Sequence, residues 1–187
     1  MNVQVISATV NVSDVMSCVR SIQQIQVEYS VTIQALDADF VAGAQHILFA
    51  AEKAIRSWDS GKPIANDLGM EILLYASGKR QTNKALDMGM HVGNNRVAFI
   101  IVSDSPSVVK GAAQQVVALV KELGGRVGGD IYEGGEGAQN DIFGYSEDKK
   151  ERLQSFFDIT DLELEAAGAE KICDLVLERV AMVDVMK

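Results

Sequence analysis

Cysteine and histidine are scarce in this 187-residue chain: Cys18 and Cys173 stand far apart, no C-x-x-C spacing occurs, and only His46 and His91 could join them. That argues against a zinc site or a disulfide framework, and both thiols read as small apolar residues of the interior. Long apolar runs are missing too. No stretch approaches the roughly 18 residues of a membrane span. The opening MNVQVISATV has neither a basic n-region nor a cleavage site, so a cytoplasmic protein is expected. Positive charge is the third shortage. Lys and Arg number 17 against 26 Asp and Glu, a net charge of -9, which argues against a protein that coats nucleic acid through one broad basic face. Phosphate-loop motifs are also absent. Gly78-Lys79-Arg80 lacks the upstream Gly and the following Ser or Thr of a Walker loop. The glycines between 124 and 148 lie beside Glu133 and Glu136, with no strand-to-helix frame for a dinucleotide fingerprint.

What is present fits one compact α/β domain over residues 1–187, with 48% hydrophobic and 23% charged residues. Continuous or β-branched apolar runs predict strands near 3–10, 31–37, 71–76 and 97–102. Helices are expected between them. Ser13 is placed as the cap of a helix running to about Tyr29, with Val15, Val19 and Ile22 at helical spacing. Val41 to Asp59 carries Ala44, Ile47, Leu48, Ala51, Ile55 and Trp58 on one face, and His46 at its boundary reads as a hydrogen-bonded structural residue. Asp37 and Asp39 end the second strand as a solvated turn, too few oxygens for a metal. Ser105 and Pro106 open a further helix. The glycine-rich acidic stretch 124–148 shows no period and reads as a loop or irregular hairpin. Lys149 to Phe157 is a charged helix, Thr160 and Glu163 form a capping-box pattern, and Glu170 to Val185 is a last helix apolar around much of its surface. Such a helix is either deeply buried or covered by a partner. The expected architecture is a mixed α/β single domain, with a central, roughly four-stranded mixed sheet surrounded by helices.

The stretch Glu71 to Gly89 organises the functional reading. Ile72 to Ala76 read as a buried strand, Ser77-Gly78 as a turn, and Lys79, Arg80, Gln81 and Thr82 as a helix start, whose free N-H groups and partial positive charge favour anions. A glycine turn with ordinary surface cations is the plainer alternative. Charge distribution bears on the choice. Residues 101–187 hold 17 acidic and 9 basic groups, whereas between 53 and 96 seven cations (Lys53, Arg56, Lys62, Lys79, Arg80, Lys84, Arg96) face four acids. A local cationic patch on an acidic chain suits a small polyanionic target better than a long duplex.

The runs QALDADFVAGAQHILFAAEKAIRSW and ANDLGMEILLYASGKRQTNKALDMGM, followed by VAFIIV and LVLERVAMV, carry a resemblance covering most of the chain. Together they resemble the small KEOPS subunit related to the PRPK-binding protein (TPRKB). The resemblance implies a non-catalytic, cofactor-free subunit of the complex that makes threonylcarbamoyladenosine in tRNA. Such a subunit binds the complex's kinase-like ATPase, supports its activity, and captures tRNA by its 3′ CCA end. A single-stranded tail offers phosphates and splayed bases that a few cations and stacking surfaces can hold. The expected tRNA contacts are Gly78, Lys79, Arg80, Gln81 and Lys84, with Lys53, Arg56 and Lys62 as steering charges. Ile172, Val176, Val180 and Val183 on the last helix are expected to meet the ATPase. The rivals are a small enzyme holding a phosphorylated metabolite at the Gly78 turn, drawing on His46, His91, Asp37 or Asp39 for acid-base work, and a pure protein-interaction module.

Overall fold

The computed structural model describes residues 1–132, 144 and 146–185. Along the chain the elements are β1 (Asn2–Val12), α1 (Val15–Tyr29), β2 (Thr32–Asp37), α2 (Ala44–Asp59), α3 (Leu68–Ser77), α4 (Thr82–Ala85), β3 (Gly93–Ser103), α5 (Pro106–Glu122), β4 (Arg126–Tyr132), α6 (Glu147–Phe156), α7 (Asp161–Ala167) and α8 (Ile172–Val185). They fall into two compact units, each drawn from two stretches of sequence. One comprises Met1–Ala38 and the described part of Gly89–Ile142; the other comprises Asp39–Met88 and the described part of Phe143–Lys187.

The first unit is the sheet with α1 and α5. Its order is β2-β3-β1-β4 and every pairing is antiparallel, so the expected mixed sheet is corrected in that respect. β1 and β3 pair along their whole length, from Asn2 opposite Ser103 to Val12 opposite Gly93. Alternate residues Ile6, Ala8, Val10, Val97, Phe99, Ile101, Ile33 and Ala35 join Cys18 and Ile22 of α1 and Val109, Ala112 and Val116 of α5 in one core. The residues between them, Val5, Leu36, Ala98, Ile100 and Val102, are buried as well. Burial on both faces is why 97–102 reads as an unbroken apolar run and why β1 alternates imperfectly. The cap of α1 is Asp14, one residue beyond Ser13, because its carboxylate accepts from the N-H groups of both Met16 and Ser17 at 3.1 Å. Ser105 and Pro106 open α5 as expected.

Two strand assignments change. Residues 71–76 are helical: they form the body of α3, whose start is capped by Asp67 accepting from Met70 N-H at 2.8 Å. The misreading has a physical cause. Every residue of α3 except Met70 is buried, so the helix shows no polar stripe, and a short wholly apolar run cannot reveal its period. The fourth strand is β4, inside the stretch expected to be irregular. Its register against β1 shifts between Ser7 and Ala8, which pair with Gly129 and Val127, leaving Gly128 as the extra residue of a bulge. Residues 133–143 and 145 of that stretch lie outside the described residues.

The second unit is helical. α2 packs on α3 and α8, and α8 also meets α3 and α6. Leu153, Phe157, Ile159, Ile172, Leu175 and Val176 form a core with Ala42. Both halves of the Thr160–Glu163 capping box are made at the start of α7. The Asp-x-Asp pair is not a solvated turn. Asp37 is buried, 3.5 Å from His91 Nδ1, and Asp39 pairs with Arg152 at 2.9 Å. No group of three or more potential metal ligands occurs among the described residues, and no helix among them is long and apolar enough to cross a membrane.

Candidate functional site

Two helix ends build the site, both in the helical unit. α3 stops at Gly78, where φ is 63°, Gly78 N-H donates to Tyr75 O at 3.0 Å, and Lys79 N-H donates to Leu74 O at 3.2 Å. A side chain here would be strained by the left-handed backbone, and its Cβ would lie 3.1 Å from Arg179 Cβ on α8. α6 stops in the same manner. Asp158 has φ 53°, and Ile159 N-H donates to Gln154 O at 2.9 Å. Between these ends lies a cleft of about 510 Å³.

Gly78, Lys79, Arg80, Gln81 and Lys84 all line this cleft, so five of the eight expected tRNA contacts are brought together. Lys53, Arg56 and Lys62 are not among its lining residues. Lys53 pairs with Asp184 on α8 at 3.1 Å, Arg56 pairs with Glu52 at 2.6 Å, and Lys62 lies in the turn beyond α2. The expected helix start is also corrected. What precedes Lys79 is the C-terminal end of α3, and α4 is a four-residue turn whose Gln81 N-cap makes no side-chain bond. A helix C-terminus carries partial negative charge, so an anion here would be met by cationic side chains and not by a favourable helix dipole.

Those cations differ in how far they are committed. The side chains of Arg80 and Lys84 make no ion pair or hydrogen bond among the described residues, and Lys84 is exposed. Lys79 Nζ lies 2.6 Å from Asp158 Oδ2 and 5.6 Å from the Phe156 ring centroid. Arg179 is a clamp. Its Nε donates to Phe157 O at 3.2 Å, and its Nη2 donates to Asp158 O at 3.3 Å and to Glu163 Oε1 at 2.6 Å. Glu163 also accepts from the backbone N-H and hydroxyl of Thr160, at 2.8 and 3.0 Å. The Thr160 N-H, then Arg179 and the Thr160 hydroxyl, hold its carboxyl down at about 2. Phe157 and Met182 supply apolar lining.

His46 braces this arrangement from inside. Ala42 N-H can only donate, so Nδ1 accepts from it at 3.1 Å, and Nε2-H donates to Ala76 O at 2.8 Å, two residues before Gly78. The Phe157 ring meets the imidazole edge-on with centroids 5.6 Å apart. Burial, with Lys149 adding in the same direction against the Ala76 bond, pushes the imidazole down to about 4. It is neutral at pH 7, a structural residue as expected. Neither it nor His91, Asp37 or Asp39 lines the cleft, so none of the four acid-base candidates named for the metabolite-enzyme reading stands there.

Sequence reasoning missed Asp158, Arg179, Phe157 and Met182. They lie 73 or more residues from the last cation of the turn, and no local pattern links them to it, although Arg179 and Met182 fell within the quoted run LVLERVAMV. The last helix needs a correction. Ile172, Val176, Val180 and Val183 are buried, so they are core, and a side chain without exposed surface offers a partner nothing to touch. The large apolar side chains that α8 exposes among the described residues are Met182, 45% exposed, and Val185, 71% exposed.

Comparison with known proteins adds two findings. The family model described as kinase binding protein CGI-121 matches residues 9–184. The chain is also 30% identical, over 155 residues, to the regulatory protein Cgi121 of Methanocaldococcus jannaschii, an alignment covering 82% of this chain and 84% of that one. The family match takes in the Gly78 cleft, the clamp that holds it, strands β2, β3 and β4 and the end of β1, and this chain belongs to the CGI-121 family of kinase-binding proteins.

Proposed function

We propose that this chain is a non-catalytic KEOPS subunit. In this reading it binds the complex's kinase-like ATPase of the PRPK type and recruits tRNA by its 3′ CCA end to the Gly78 cleft, for threonylcarbamoyladenosine modification. Family membership supports the kinase partner. The observation that carries the RNA reading is the cleft itself: Lys79, Arg80, Lys84 and Arg179 converge with Phe157 and Met182 on a chain of net charge -9. A single-stranded tail is held by a few phosphate contacts and by bases laid on apolar or aromatic surface, and it needs no broad basic face. Arg80 and Lys84, whose side chains are unpaired among the described residues, are the proposed phosphate contacts, with Lys79, Gln81 and the Gly78 turn beside them.

The test is tRNA binding by the variant carrying both Arg80→Ala and Lys84→Ala, across a salt series. Two lost contacts to a single strand should reduce the salt slope by about 1.4 and lower affinity at low salt. Kinase binding by the same variant should be unchanged. An unaltered slope and affinity would remove the cleft as the tRNA site.

A further inference from the structure

A carboxylate sits in this cationic cleft, at a position that an uncharged residue could fill as well. Asp158 occupies the left-handed position that closes α6, with φ 53°, a place where glycine is the unstrained choice. It also puts negative charge at a helix C-terminus, the unfavourable end of the dipole. Its side chain is 81% exposed, so the pair it forms with Lys79 at 2.6 Å is a surface ion pair that adds little to stability. The loop is already held through the backbone, by Arg179 on Phe157 O and Asp158 O. In a cleft that needs only to attract phosphate, this acid is counterproductive, because it neutralises Lys79 and repels every phosphate that approaches it.

Resting on the tail-capture reading above, we infer that Asp158 selects for an unphosphorylated 3′ end. Every nucleotide of an RNA except the last carries a phosphate on its 3′ oxygen. The terminal ribose is the one place where a strand offers two neighbouring hydroxyl donors and no 3′ charge. A carboxylate accepts hydrogen bonds from ribose hydroxyls, as acidic residues do in nucleotide-binding folds. It repels a terminal phosphate. Lys79, held against Asp158, keeps the carboxylate in place, while Arg80 and Lys84 keep their charge for the phosphates upstream. The cleft thereby distinguishes a mature tail from one still bearing a 3′-phosphate.

The experiment measures binding of three forms of one tRNA: ending in CCA with a free 3′-hydroxyl, ending in CCA with a 3′-phosphate, and lacking CCA. The proteins are wild type, Asp158→Asn and Asp158→Gly; glycine suits φ 53° and guards against misfolding. Wild type should prefer the hydroxyl end by about tenfold, equivalent to about 1.4 kcal/mol, and both variants should bind the two CCA ends nearly equally. Equal binding of both ends by wild type, or an undiminished preference in the variants, overturns the role of Asp158. Failure of tail capture itself is separately visible. In that case wild type binds the CCA-less tRNA as well as the intact one, and the inference falls with it.

Discussion

At the scale of single residues, burial and hydrogen bonding make His46 a sensor of acid rather than a catalyst. Its folded value of about 4 lies below the ordinary 6.5, so the unfolded chain binds a proton first as pH falls. The native state therefore loses stability between pH 6.5 and about 4 and gains it back as pH rises through that window. The full effect is on the order of 3 kcal/mol. Denaturant unfolding of wild type and His46→Gln at pH 7 and pH 4.5 checks this. The variant should be less stable at pH 7 and should show a shallower pH dependence; identical slopes would mean that His46 is not held neutral. Glu163 acts in a lower window. Its carboxyl, held at about 2 instead of 4.5, contributes stability that is complete above about pH 4.5 and is lost only as pH falls toward 2.

At the scale of elements, α8 distinguishes a buried stripe from an interface. Val180 is fully buried in the free chain. Val180→Glu should therefore unfold the helical unit, at a cost on the order of 3–5 kcal/mol, rather than selectively break a partner contact. Circular dichroism during thermal unfolding reads the result, and a variant with native stability that had lost only kinase binding would return Val180 to the surface. α3 and α8 show what was legible in the sequence. Where a helix has one wet face, as in α2, periodicity located it to within three residues. The apolar surface of α8 was equally plain, but periodicity alone could not say whether the covering came from the chain or from a partner. In α3, Ile72 to Ala76 lacked any polar stripe, and helix and strand were indistinguishable. β4 failed for the opposite reason: Gly128 and Gly129 weakened its pattern, although its pairing with β1 is made by the backbone, which glycine supplies as well as any residue.

At the scale of the whole molecule, the site is a product of tertiary structure. Three of its four cations, Lys79, Arg80 and Lys84, come from one short stretch and were legible as a local excess of charge. Its opposing wall, Phe157, Asp158, Arg179 and Met182, comes from the other stretch of the same unit and carries no local signal. Charge follows the same logic. A chain of net charge -9 gathers four cations in one cleft, with two of them unpaired among the described residues, which in the proposed reading favours a small target that fits there. The central claim is that this target is the single-stranded end of tRNA. The most direct measurement compares binding of one full-length tRNA with the same tRNA trimmed of its 3′ CCA, each at low and at physiological salt. Trimming should remove most of the affinity at both salt concentrations. Equal binding of the two forms, weakening together as salt rises, would contradict it and reduce the cleft to a nonspecific charge contact.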